Sequence, residues 1–425
     1  MESSCPHLGA DMSHADIEEY GDGEGEEETT AVAVCPWHRY DFDLKTGKSE
    51  TGLRACTYAV EVRGKGKDEV WIEAPSDGTG WRVVELRPVS EEFADPPPQP
   101  PSEILTADQP GEEEPVVPLN NPPSTLIEWA VLILNTPNPT LKVERTKHAV
   151  HAFRTGKLSS IGHKSSKAPP PPEVPPREKG FRIVDPQKVK QRRNRAVMLH
   201  ALANIEQWAI DLAWDIIARF GPMHKDLPAA FFSDFTKMAL DESKHFSLLT
   251  SRLSSLSPST PYGSLPTHAS LWESATATSN SFRARLAIIH LVHEARGLDV
   301  NPATIERFRK AGDKDSVGVM EIIHADEVTH VTAGHRWFCW ACERGVGGSG
   351  EGAGGGDGEG GVKVNPVKAF REEVKRHWKG EIKGPFNVED RERAGLSPAF
   401  YEDLRGNPEE PQEKVEARVG VGYGS

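Results

Sequence analysis

Four glutamates, each centred on the apolar stripe of its own expected helix, constrain this 425-residue chain more than any other feature. Glu206 lies in LHALANIEQWAIDLA, and the residues three, four and seven positions away are Leu199, Leu202, Ala203, Ala209, Ile210 and Ala213. The same spacing around Glu242 gives Phe235, Met238, Ala239, Phe246 and Leu249, with His245 at i+3. Around Glu294 it gives Ala287, His290, Leu291, Gly297 and Leu298. Around Glu327 it gives Met320, Ile323, His324, Val331 and Gly334, with His330 at i+3. Recurrence at these intervals defines one face of an α-helix, so all four carboxylates are expected inside. A buried charge without a partner is very costly. No Lys or Arg stands at the tested positions, the positive partners there are histidines, and a bound cation is the natural compensation.

The order along the chain is Glu, Glu-x-x-His, Glu, Glu-x-x-His. It resembles the ligand arrangement of ferritin-like di-iron and di-manganese carboxylate bundles. Oxygen and nitrogen donors with bridging carboxylates suit iron or manganese better than zinc alone. Glu206 and Glu242 are 36 residues apart and Glu294 and Glu327 are 33 apart, with 52 between the pairs, which predicts two helical hairpins joined by a longer crossover. Each Glu-x-x-His follows an Asp, in DESKH and DEVTH. Histidine ligands usually donate their other N–H to a carboxylate, which nominates Asp241 and Asp326 as supports. His290 and His324 also face inward on this reading and are expected to be satisfied core histidines.

This region resembles a ferritin-like family catalogued as a domain of unknown function and related to di-iron tRNA hydroxylases. The resemblance rests on LHALANIEQWAIDLA, DESKHF, HEARGLDV and DEVTHV, with the flanking FRIVDP, HRWF and GPFNVEDR, and covers about 124–405. It implies that Glu206, Glu242, His245, Glu294, Glu327 and His330 are the metal ligands of an all-α four-helix bundle. The chain departs from the family in a Gly-rich insertion after Arg344.

The beginning of the chain carries a second constellation. Cys5-Pro-His7 and Cys35-Pro-Trp-His38 form C-x-H and C-x-x-H, metal-ligand types at paired-loop spacing. A zinc site and a [2Fe–2S] centre with two Cys on one iron and two His on the other both use such a set. CPHLGADMS and CPWHRYDFDLKTGK resemble the two cluster loops of Rieske ferredoxins, and VEVRGKGKDEVWIE resembles their closing strands. That resemblance implies a Rieske [2Fe–2S] cluster on Cys5, His7, Cys35 and His38. The 27 residues between His7 and Cys35 exceed the usual spacing, and the first ligand is residue 5, so a small, partial all-β domain without its upstream strands is expected.

The reading is therefore multidomain: a partial Rieske-type all-β domain over 1–90, a Pro/Glu-rich linker over 91–123, a ferritin-like bundle over 124–405 with an insertion at 345–361, and a tail over 406–425. Strands are expected at 31–34, 57–62 and 68–73. Helices are expected from a Thr125–Glu128 capping box onward and over about 190–220, 228–256, 279–298, 315–343 and 366–378. The net charge of −14 is uneven. Residues 1–123 hold 27 acidic and 9 basic side chains, whereas the rest hold 37 and 41, so acidity of the whole says little about partners of the bundle. Five cysteines and no apolar run of membrane-spanning length favour a soluble, cytoplasmic protein. Three weaker signals are set aside. Gly345–Gly350 matches G-x-G-x-x-G without the strand and helix the dinucleotide fingerprint needs. Cys339 and Cys342 lack a second ligand pair, and the basic 188–195 stretch reads as a solvated helix start.

Together these features predict an O2-activating di-iron oxidoreductase, a hydroxylase or oxidase fed one electron at a time by its own cluster. An external reductase would have to supply that cluster, since no flavin or nicotinamide motif is present. The substrate would be a small molecule or tRNA, and no membrane partner is expected. The competing reading is a metal-storage or redox-sensing protein that turns over no substrate.

Overall fold

The computed structural model describes residues 5–6, 12, 15–20, 30–35, 40–49, 53–63, 69–73, 114–164, 168–185, 194–348, 362–378 and 382–404. The chain falls into two compact units, residues 1–113 with 152–157, and residues 114–151 with 158–425.

In the first unit, β1 (Asp16–Tyr20), β2 (Thr30–Val34) and β3 (Asp41–Asp43) form an antiparallel sheet in that order, with Asp16 opposite Val34 and Ala33 opposite Phe42. A separate hairpin pairs β4 (Val60–Arg63) with β5 (Glu69–Ile72). The Val- and Thr-rich runs at 31–34, 57–62 and 68–73 thus contribute strands, while β1 and β3 were not foreseen. The turn after β3 requires glycine at Gly47, which has φ +71° and would place a Cβ 1.9 Å from the Ala55 carbonyl oxygen. Two small sheets do not by themselves make a Rieske all-β domain.

The second unit is helical. Helix α1 (Leu126–Leu134) opens with the expected capping box: the Glu128 N–H donates to Thr125 Oγ1 and the Thr125 N–H to Glu128 Oε2. Next come α2 (Pro139–Arg154), α3 (Arg195–Phe220), α4 (Ala229–Leu256) and α5 (Ser270–Ala277). Helix α6 (Phe282–Ala287) runs through a π-helical turn, Ile288–His293, into α7 (Glu294–Lys310), and α8 (Lys314–Arg344) follows. Short helices α9 (Pro366–His377), α10 (Val388–Arg393) and α11 (Pro398–Tyr401) close the unit.

The long helices pack as two hairpins, α3 with α4 and α7 with α8, and α4 packs on α8 between them. Their shared interior is filled by Leu199, Ala203, Ile210, Leu249, Leu291, Met320 and Val331. One end is locked by Asp313, the N-cap of α8, whose carboxylate accepts from the Ser316 N–H, Arg252 and Arg195. Starts of α3 and α8 are thereby tied to α4. At one crossing the backbones nearly touch, since a Cβ on Gly334 of α8 would lie 2.2 Å from the His290 carbonyl oxygen of the π turn. Among the described residues, no helix is long and apolar enough to cross a membrane.

Candidate metal centre

Each helix of the two hairpins delivers its glutamate to one place. Glu206 comes from α3, Glu242 and His245 from α4, Glu294 from the start of α7, and Glu327 and His330 from α8. All but Glu294 are buried, and Glu294 is half-buried. Two sets of donors that could hold a metal ion result, each with its ligand atoms within 4.8 Å of one another: Glu206, Glu242, His245 and Glu327; and Glu242, Glu294, Glu327 and His330. The sets overlap at Glu242 and Glu327. A carboxylate has two oxygens, so these two side chains are the ones able to serve both positions at once.

Local contacts have the signature of groups aimed at a common guest. His330 Nδ1 lies 3.0 Å from Glu242 Oε1 and 4.0 Å from Glu327 Oε2. Yet Glu242 Oε1, Glu327 Oε2 and His330 Nδ1 are all buried without a hydrogen-bond partner, because the close atoms are poorly aligned with one another. His245 Nδ1 sits 3.2 Å from Glu242 Oε2 and 3.6 Å from Glu206 Oε2. Both imidazoles turn their Nδ1 toward the carboxylates and their Nε2 away. A cation would satisfy the stranded atoms and balance the carboxylates, so the donor set fits the di-metal centre that the sequence implies.

The two aspartates hold the Nε2 edges, crosswise. His245 Nε2 is 2.9 Å from Asp326 Oδ2, and His330 Nε2 is 3.3 Å from Asp241 Oδ2. Each DE-x-x-H segment therefore braces the histidine of the other helix, not its own. Lys244 and Lys237 in turn reach Asp326 and Asp241, at 2.9 and 2.6 Å. Hydrophobic periodicity does not single out these lysines, although Lys237 stands at i−4 to Asp241.

Burial and crowding set the protonation of the metal-free site. Burial and the charge of Glu242 push Glu206 up to about 8 and Glu294 up to about 7. Burial, with the charges of Glu294 and Glu242, takes Glu327 well above the carboxylate range. Burial opposes ionisation of Glu242 as well, but the charge of His330 and the hydrogen bond from His245 hold it below that range. Against the same burial, hydrogen bonds to Asp326 and Glu242, with the Glu206 carboxylate close by, keep His245 protonated. The Glu242 charge and the Asp241 bond do so for His330. Without metal the centre is a cluster of protons held among carboxylates, which a divalent cation would displace.

The remaining expectations divide. His290 is fully buried, as expected, but neither ring nitrogen has a partner; its ring meets Phe235 edge-on at 4.8 Å, and it belongs to neither donor set. His324 is corrected: it is half-buried and points to Asp390, 3.1 Å away, because it lies toward the α10 side of α8. Cys339 and Cys342 are free thiols that burial pushes up to about 11 and about 12, so they are protonated. Gly345 caps α8 in the left-handed conformation, as the set-aside glycine motif allows. In the first unit Cys5 and Cys35 share one buried cluster with Met12, Ala15, Ala33, Phe42 and Ala55. Their partners His7 and His38, like residues 188–193 of the basic stretch, lie outside the described residues.

The family described as "Protein of unknown function (DUF455)" matches residues 135–402, well over half of the chain. The chain belongs to that family. The match includes all six metal-donor residues and begins after the cysteine constellation, so no Rieske family match supports the reading of the first unit. A protein of Haemophilus influenzae described as "Uncharacterized protein" is 33% identical over 206 residues, 48% of this chain and 65% of that protein. The chain thus spans about 65% of the length of that relative. No solved structure matches it.

Proposed function

We propose that the helical unit is an O2-activating di-metal oxidoreductase of the hydroxylase or oxidase type, with iron as the first choice and manganese the second. The observation that carries this reading is the pair of donor sets sharing Glu242 and Glu327. Two redox-active ions held side by side would supply reductive activation of O2. The chain's own residues do the rest. Glu242 and Glu327 keep the two positions adjacent, and Glu206 with His245 and Glu294 with His330 complete them. Asp326 and Asp241 fix the imidazole tautomers so that each Nδ1 lone pair faces inward. The apolar stripes around the six donors exclude bulk water. Glu294, the least buried of the six, marks the side from which a substrate would approach.

Electrons must come from outside the bundle. In this proposal Cys5, His7, Cys35 and His38 hold a Rieske [2Fe–2S] cluster that passes them singly, fed by a separate reductase. Support for it is the burial of Cys5 and Cys35 in one cluster, together with the motif spacing. Substrate class is a small molecule or tRNA, by kinship to the hydroxylases the bundle resembles.

Stopped-flow mixing of the anaerobically reduced protein with O2 tests both parts. Rapid reoxidation is expected in the native chain and reoxidation at least tenfold slower in Glu327→Ala. Equal rates would favour metal storage or redox sensing. Absence of Rieske visible and EPR signals from the purified chain would remove the cluster and leave the bundle dependent on an external donor.

A further inference from the structure

A second polar site lies on the back of α3. Glu206 points from this helix into the metal centre. Trp208 and Asp211 project from roughly the opposite side, at helical angles of about 200° and 140° from Glu206. A strap of the Pro-rich segment 168–185 covers them. It is held by the Trp272 indole N–H donating to the Glu173 carbonyl, by the Val184 N–H donating to the Thr267 carbonyl, and by the Thr267 N–H donating to the Arg182 carbonyl.

Arg177 descends from this strap. Its side chain is 5% exposed, its guanidinium lies 3.6 Å over the Trp208 ring, and Nη1 donates to Asp211 Oδ2 at 2.8 Å. Nε and Nη2 have no hydrogen-bond partner, though both atoms are buried. These two N–H groups form the side-on edge of a guanidinium, the edge that grips a carboxylate or phosphate with two parallel bonds. Arg391 uses that edge on Asp299, at 2.8 and 2.7 Å. Arg285 fills it with Thr278 Oγ1 and the Ala275 carbonyl, and Arg145 with the Val116 and Pro115 carbonyls and Glu114. These equally buried arginines are complete where Arg177 is open.

The charges are unbalanced in the same sense. Among the described residues, Asp211 is the single carboxylate bonded to both Arg177 and the fully buried Lys142. One turn on, Asp215 is already shared by Arg219 and Arg285. Two buried cations on one carboxylate leave one positive charge over, and burying it without a counter-charge is costly.

We propose that Arg177 and Lys142 form a binding site for a small oxyanion, taken bidentately on the Nε/Nη2 edge of Arg177 beneath the strap. The ligand chemistry is two coplanar oxygens with one negative charge or more, supplied by a carboxylic acid or by a phosphate group. The site is separate from the six metal donors and independent of what the bundle catalyses.

Full-length protein is titrated with acetate, malonate and inorganic phosphate against chloride at matched ionic strength. Binding is read by calorimetry and thermal unfolding. Saturable binding of one anion per chain and a rise in Tm beyond the chloride control are expected, with the preferred anion separating carboxylate from phosphate. Arg177→Lys keeps the charge but loses the fork and should weaken binding at least tenfold. Lys142→Met keeps the fork but removes the surplus charge and should also weaken it. Far-UV circular dichroism confirms that each variant is folded, and either variant alone suffices. No anion-specific binding by the native chain, or unchanged affinity in a folded Arg177→Lys, would overturn the site.

Discussion

Replacing Asp326 by Asn tests the crosswise bracing without touching a metal donor. The change keeps the volume and an acceptor oxygen but removes the negative charge that His245 Nε2 meets at 2.9 Å and Lys244 at 2.9 Å. Losing such a support typically lowers metal affinity 10–100-fold, or about 1.4–2.7 kcal/mol. His245 belongs to the donor set with Glu206, not the set with Glu294, so one position should weaken and the other should keep its affinity. Asp241→Asn should produce the mirror-image result through His330. Competition titration with a metal chelator resolves two binding phases, and the variant should shift one of them. If Asp326→Asn weakens the position of His330, or if neither phase moves, the crosswise reading is refuted.

Packing and protonation set three further outcomes. Gly334→Ala should destabilise the chain by about 1–2 kcal/mol in urea titration, since its Cβ would press on the His290 carbonyl and helix propensity returns only about 1 kcal/mol. In the same helix Gly318→Ala meets nothing within 4 Å and should stabilise by about 0.5–1 kcal/mol. Stability of the metal-free protein should fall as pH rises from about 6.5 to 8, above the range in which the buried His200, His290, His293 and His335, all lowered by burial, add stability as pH rises. Glu206 and Glu294, at about 8 and about 7, bind protons in the folded state that the unfolded chain has released, and the raised His245 and His330 act in the same direction. Lowered Glu242 and Asp326 contribute above their unfolded range and lose that contribution only in acid. Thermal melts that are flat or rising across that window without metal would contradict this protonation pattern.

Helical periodicity made the four glutamates legible because burial on a helix repeats every three to four residues and needs no knowledge of the partner helix. The capping box at Thr125 was legible for the same reason, being a purely local hydrogen-bond pattern. What depends on helix-to-helix geometry was not. Asp241 and Asp326 were marked as supports, but the histidine each supports is 89 and 81 residues away, across the α4–α8 contact. His324 shares the apolar stripe by counting yet turns to Asp390, because α10 packs where the stripe ends. The π turn at Ile288–His293 leaves no compositional mark, and the open edge of Arg177 depends on a strap whose sequence reads only as Pro-rich loop.

Metal stoichiometry of the purified chain, by elemental analysis against protein concentration, bears most directly on the central claim. After the two irons of the [2Fe–2S] cluster, counted from acid-labile sulfide, are subtracted, the overlapping donor sets predict two ions per chain in the native protein. Glu206→Ala should lower affinity at one position, whereas Glu242→Ala, which removes a donor common to both sets, should leave close to none. A folded native chain whose bundle binds no metal after anaerobic loading with ferrous iron, or a Glu242→Ala variant that retains two ions beyond the cluster iron, would contradict the account.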